Sequence, residues 1–286
     1  MIIVRLMGGL GNQMFQYAFG RSLAERRNTR LKLDISHFKN DIPKREYDLS
    51  MFNLEAEFAS KEEIFKLKQR FSSQIFDKVA NKVLGYRTSF IIEPYFHFSA
   101  RAFNAPDNVY LHGYWQTEKY FSDIEPIIRS EFTFREQMSA AAVSLLERIR
   151  STNSICVNVR RGDFVTNPFH GSYGVPYYEK ADEIIEQRTP EREYFVFSDE
   201  IEWCARNLNF SGPTTFVSHE FAGPKFQDYL RLMAGCKHFI IPNSSFAWWA
   251  IWFNSEPSRM VIAPKAWFSD PSIDTSDLTP PEWLRI

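Results

Sequence analysis

At 286 residues, with 44% hydrophobic and 24% charged content, the chain reads as a soluble globular protein with room for two domains. A formal net charge of −1 excludes broad nucleic-acid binding, which needs a strong basic field, but leaves room for a local basic pocket. The three cysteines, Cys156, Cys204 and Cys236, form no CxxC pair and sit among apolar residues, so neither a zinc site nor a disulfide framework is expected, and a reducing cytoplasm fits.

Residues 2–6 form an apolar run that reads as a strand, too short for the core of a signal peptide. Gly8-Gly9-Leu10-Gly11 breaks it, and Phe15, Phe19 and Leu23 then recur at helical spacing over residues 12–27. Residues 31–34 read as a second strand, giving a βαβ opening. The glycine turn approaches the GxGxxG dinucleotide fingerprint: Gly9 and Gly11 match, and Asp34 falls about where an acidic ribose ligand would stand. Met14 occupies the place of the third glycine, which disfavours a nicotinamide enzyme. A turn that brings backbone close to a bound ligand suits these residues better.

Residues 36–90 are less regular. Charge is dense over 61–70, and 71–84 fits an amphipathic helix. Residues 109–111 read as a strand, followed by Gly113-Tyr114-Trp115-Gln116 and by helices over 118–129 and 137–150. The polar stretch 151–154 is the expected boundary between an N-terminal domain, 1–150, and a C-terminal domain, 151–286.

The second half alternates strands at 155–159, 194–197, 214–217, 238–241 and 260–263 with helices at 177–188, 202–208, 225–236 and 246–253. That alternation predicts a parallel sheet with crossover helices. The apolar stretch 239–253 is interrupted by Pro242, Asn243, Ser244 and Ser245, so it does not read as a membrane span, although peripheral contact with a membrane stays open.

Every unusual polar cluster of this half follows a strand: Arg160, Arg161 and Asp163; Ser198 and Asp199; His219 and Glu220; Asn243, Ser244 and Ser245. In a parallel sheet they share the carboxyl edge, where nucleotides bind. Two guanidiniums there suit a pyrophosphate, whose oxygens their planar forks grip in pairs. The competing reading is a surface ion pair between Arg161 and Asp163. Ser244 or Ser245 at a helix start offers an anion site, or an ordinary N-cap. Asp199 offers acceptors to guanine or ribose, or a capping box with Glu202. Trp248 and Trp249 read as packing. The histidines show no metal-ligand spacing, and an Asp-x-Asp pair, a GxSxG elbow and a P-loop are all missing. These gaps argue against a zinc enzyme, metal-dependent sugar transfer, a serine hydrolase and an ordinary kinase.

Four strings taken together resemble glycosyltransferase family 11, the α-1,2-fucosyltransferases. They are Gly8-Gly9-Leu10-Gly11-Asn12-Gln13-Met14-Phe15-Gln16-Tyr17, Gly113-Tyr114-Trp115-Gln116, Val159-Arg160-Arg161-Gly162-Asp163, and Asn243-Ser244-Ser245-Phe246-Ala247-Trp248-Trp249, with a weaker fifth block over 194–199. The family pattern at the arginines is HxRRxD. Asn158 stands here in place of the histidine; it keeps hydrogen-bonding ability but cannot carry charge.

The resemblance implies an α/β, GT-B-like fold of two Rossmann-type halves facing a central cleft. The second half would hold GDP-fucose and the first would supply the acceptor side. Arg160 would be catalytic, on the β-phosphate. Asn158, Arg161, Asp163, Asp199, Asn243, Ser244 and Ser245 would line the donor, Asp199 near guanine. Gly9, Gly11 and Asn12 would approach it from across the cleft, and Tyr114, Trp115 and Gln116 would meet the acceptor. The implied reaction inverts the donor linkage and joins L-fucose to O2 of a terminal galactose on an oligosaccharide or lipid-linked glycan. It would need no metal, no cofactor beyond GDP-fucose and no nucleic acid, and would run in the cytoplasm or at the inner face of the membrane. Asp34, Glu93 and His97 stand unranked as candidates for the general base. The alternatives are a transferase of another nucleotide sugar and a non-catalytic carbohydrate-binding protein, which the 16% aromatic content would also suit.

Overall fold

The computed structural model describes residues 1–39, 45–68, 88–94 and 96–286; the helix expected over 71–84 lies outside them. The chain divides into two compact units. Unit 1 comprises Met1–Arg135 together with Asp274–Thr279, and unit 2 comprises Glu136–Ile273 together with Pro280–Ile286.

Unit 1 is built on a parallel sheet of β1 (Ile2–Arg5), β2 (Leu31–Asp34), β3 (Glu57–Phe58), β4 (Phe90–Ile92) and β5 (Val109–His112). Their order is β3-β2-β1-β5-β4, and every paired edge is parallel. Helix α1 (Leu10–Arg26) starts at once after the glycine turn, with Gly9 at its N-cap. It is buried on almost every side, so its polar Gln13, Gln16 and Ser22 must find partners inside the fold. Helix α2 (Lys61–Lys68) packs near β5, and α3 (Glu125–Glu131) follows two short 3₁₀ turns. The single helix expected over 118–129 is therefore broken; Pro126 sits in the first turn of α3, where its missing N–H costs nothing, and it cannot serve a helix running through. Strands β3 and β4 lie in the stretch left unassigned from sequence, being too short to show a period.

Unit 2 carries a second parallel sheet of β6 (Asn153–Val159), β7 (Arg192–Ser198), β8 (Thr214–Phe216), β9 (His238–Ile240), β10 (Val261–Ala263) and β11 (Leu284–Arg285). The order is β11-β10-β9-β6-β7-β8. Its helices are α4 (Ala140–Ser151), α5 (Val175–Arg188), α6 (Ile201–Asn207), α7 (Gln227–Ala234) and α8 (Ser245–Phe253). The division between units falls after Arg135, not at the expected 151–154. The apolar stripe Ala142, Leu145 and Ile149 of α4 is buried, and the helix packs on β6 and α7, so the polar residues behind it mark only a helix end. Helix α7 begins at Gln227, later than expected, because Lys225 and Phe226 sit at φ 53° and 61°, in the left-handed region that an α-helix cannot pass through.

Within the apolar stretch 239–253, which opens in β9, helix α8 supplies Ser245–Phe253. It is hydrophobic all round, with Trp249 at 0% exposure, and it serves as a buried core helix. Trp248 and Trp249 are packing residues, and the three cysteines are buried. No helix among the described residues is long and apolar enough to cross a membrane.

Candidate active site

In an open parallel sheet, ligands bind outside the carboxyl ends of the strands where the strand order reverses. In unit 2 the chain runs outward from β6 through β7 and β8, then returns to the other side of β6 as β9. The switch point is thus between β6 and β9. The segments leaving these strands are Arg160-Arg161-Gly162-Asp163 and Asn243-Ser244-Ser245. In unit 1 the same reversal lies between β1 and β5, whose exits are Gly8–Asn12 and Gly113–Gln116. Each of the four strings singled out in the sequence leaves a strand at a switch point.

In unit 2, Asp199 organises the arginine turn. Its Oδ1 accepts the Arg161 backbone N–H at 3.0 Å, and its Oδ2 lies 2.9 Å from Arg160 Nη1. Gly162 is required beside it, because a Cβ there would come within 2.5 Å of Asp199 Oδ2. Arg160 also pairs with Asp163 and lies over the Phe164 ring at 5.2 Å, yet its side chain stays 28% exposed. Arg161 turns the other way: its Nε donates to Glu200 at 3.0 Å and its guanidinium stacks on Trp203 at 3.7 Å. The expectation of two guanidiniums sharing one anion changes accordingly, since Arg161 is committed to helix α6 and Asp163 pairs with Arg160. Asp199 is not a helix cap either; the N-cap of α6 is Glu200, and the Ser198 hydroxyl accepts the Glu200 N–H at 2.9 Å.

Asn158, at the end of β6, donates to the Phe197 carbonyl at 3.2 Å, and its buried Oδ1 has no partner. Asn243 donates both amide hydrogens, to the carbonyls of His170 and Trp267 at 2.9 Å each, and its Oδ1 is likewise buried and unpartnered. Two oriented acceptor oxygens therefore flank the switch point. Ser244 caps α8, accepting the Ala247 N–H at 3.3 Å, and Ser245 is the first residue of the helix. The His219 ring donates to the Ser198 carbonyl at 2.8 Å. Two residues that the sequence did not single out complete the surroundings: Phe164, under Arg160, stacks on His170 at 4.5 Å with an interplanar angle of 5°. Nothing in their spacing marks them.

In unit 1, buried amides lock the two exits together. Gln16 accepts the Met7 N–H at 2.9 Å and donates to the Gly113 carbonyl at 3.1 Å, so one side chain binds both turns. Gln13 donates to the Gly8 carbonyl at 3.1 Å and accepts the Asp48 N–H at 2.9 Å. Across the switch point, Gln116 Nε2 donates to Asn12 Oδ1 at 2.7 Å. Gly9 and Gly11 open α1, with Gly9 part-exposed and Gly11 buried. Trp115 is corrected from acceptor-side to core: it is 0% exposed, and its ring packs tilted against Phe19 at 4.4 Å and edge-to-face against Tyr120 at 5.6 Å. Tyr114 is part-exposed and stacks on Phe96 at 6.2 Å.

The three candidate bases separate. Asp34, 1% exposed, accepts from Tyr110 Oη at 2.5 Å and from the Ser36 N–H at 2.9 Å. Burial works to raise its carboxyl, but these bonds outweigh it and hold it below the usual range. His97 faces the carboxylate of Asp274 at 3.9 Å. Glu93, just past β4, accepts the Tyr114 and Trp115 N–H groups at 2.6 and 3.0 Å. Burial pushes its carboxyl up to about 7 against the pull of those two bonds. Among the described residues, no group of three or more His, Cys, Asp or Glu could hold a metal ion.

The family model for glycosyl transferase family 11 matches residues 1–286. The chain is 32% identical to an α-1,2-colitosyltransferase of Escherichia coli, over 100% of this chain and 98% of that protein. It is 29% identical to galactoside α-(1,2)-fucosyltransferase 2 of Rattus norvegicus over 148 residues, 48% of this chain and 42% of the other. Among solved structures, NodZ α-1,6-fucosyltransferase co-crystallised with GDP superposes with a TM-score of 0.51 at 14% identity, covering 88% of this chain and 92% of that one. The architecture is accordingly GT-B-like, α/β with a parallel sheet in each half. A family match that spans both switch points, together with a relative alike along its full length, makes the chain an enzyme of glycosyltransferase family 11.

Proposed function

We propose that the chain is an inverting α-1,2-fucosyltransferase, moving L-fucose from GDP-β-L-fucose to O2 of a terminal galactose on a glycan. The observation that carries this reading is the unit 2 switch point: a part-exposed Arg160 leaves β6, α8 begins past the neighbouring strand β9, and Asn158 and Asn243 on these two segments each hold an unpartnered amide oxygen. A guanidinium and a helix N-terminus suit a diphosphate, and free acceptor oxygens suit ribose hydroxyls or guanine N–H groups. Unit 2 is the donor side on this reading, and unit 1, with Tyr114, Gln116 and Asn12, is the acceptor side. As the C1–O bond breaks, charge collects on GDP, and Arg160, released from a carboxylate partner, neutralises it in place of a metal. The test incubates the protein with GDP-fucose and a panel of β-galactosides in the presence of EDTA. Transfer to O2 is expected, and its loss with EDTA would reject the metal-free clamp.

A second donor is favoured by a specific finding: a relative matched along its whole length is named for colitose, the 3-deoxy counterpart of fucose. Side-by-side kinetics with GDP-fucose, GDP-colitose and a UDP-sugar separate the two donors. A preference for the UDP-sugar would overturn both.

A further inference from the structure

Resting on that reading, the geometry points to Glu93 as the general base that takes the proton from the attacking acceptor hydroxyl. Its position carries the assignment. Glu93 leaves β4 at the carboxyl edge of the unit 1 sheet, next to β5, and its two oxygens are held by the backbone of the turn that also carries Tyr114 and Gln116. Gly113 makes that approach possible, since a Cβ there would lie 2.3 Å from Glu93 Cβ and 2.7 Å from its Oε2. Each oxygen keeps a lone pair beyond the bond it accepts, and the residue as a whole is part-exposed. The rival Asp34 is sealed in the core and committed to Tyr110, while His97 faces Asp274.

In the step, acceptor O2 forms a bond to C1 of the sugar, and the C1–O bond to the β-phosphate breaks, its electron pair leaving with GDP. The O2 proton passes to the Glu93 carboxylate and then to solvent. Burial at this position favours the neutral acid, and the two N–H bonds oppose it, leaving a group that titrates at about 7, where a base is effective. The titratable side chains on the elements it meets are Tyr110 and His112 of β5 and Tyr114 of the turn, and no charged group among the described residues contributes to the shift.

The test measures kcat, acceptor KM and the pH profile for wild type, Glu93→Gln and Glu93→Asp, with GDP affinity by calorimetry as the control for an intact unit 2. Wild-type kcat should fall tenfold per pH unit below about 7. Glu93→Gln should lower kcat by about 10²–10⁴-fold, abolish that acid limb and leave GDP affinity within threefold. Glu93→Asp should keep the limb with a smaller loss, and it carries the test if the glutamine variant does not fold. A side chain that only pins the turn would raise acceptor KM in both variants and leave the limb in place, overturning the assignment. Glutamine activity within fivefold of wild type would also overturn it while leaving the proposed reaction standing. A wild-type protein that binds GDP yet transfers to no sugar hydroxyl removes the reaction itself, and the base with it.

Discussion

Arg160 and Arg161 are adjacent in sequence but have different commitments. The first is part-exposed between two carboxylates at a switch point, and the second stacks on Trp203 with its Nε on Glu200. Arg160→Ala should therefore lower kcat by about 10²–10³-fold with the fold intact, and Arg160→Lys should restore little, because an ammonium lacks the planar fork. Arg161→Ala should leave kcat within about tenfold, a smaller loss because its side chain is held away from the chemistry. Steady-state kinetics beside circular dichroism checks both. Glu93 makes a separate prediction at equilibrium. Its carboxyl sits at about 7 when folded against an ordinary 4.5, so the folded chain binds more protons than the unfolded chain between those values. Stability from this group then falls as pH rises through that window and levels above it. Urea midpoints at pH 5 and pH 8 should drop less for Glu93→Gln than for wild type.

The turns at strand exits are the elements on which the site depends, and two of them need glycine for lack of space. Gly162→Ala would drive a methyl into Asp199 and displace the carboxylate that holds Arg160, at an expected cost of about 10²-fold in activity. Ser244→Ala should cost about 1 kcal/mol of stability in a thermal melt, as loss of an N-cap does. The strand-to-helix rhythm of unit 2 was legible because its strands are continuous apolar runs, such as Tyr194 to Phe197, buried on both faces. The polar clusters were legible because they interrupt those runs at their carboxyl ends. What stayed hidden was tertiary. Two-residue β3 carries no period, α4 shows its allegiance only through its buried stripe, and Trp115, acceptor-side by resemblance, packs on Phe19 in the core. The division of labour between two neighbouring arginines is likewise set by Glu200 and Trp203, some forty positions away, and no local pattern reports it.

At the scale of the whole molecule, unit 1 is not one continuous stretch. Asp274–Thr279 belongs to it, although unit 2 occupies the chain in between. Asp277 accepts the Phe98 N–H at 3.1 Å and pairs with Lys119. Asp277→Ala strands that N–H and should destabilise unit 1 by about 1–2 kcal/mol, seen as faster hydrogen exchange at Phe98 and a lower melting temperature. The returning segment also bears on biosynthesis. Polypeptides emerge from the ribosome amino end first, so Phe98 and Lys119 wait for their Asp277 partner while the whole of Glu136–Ile273 is still being made. Unit 1 therefore gains its last segment only after almost all of unit 2 has been synthesised.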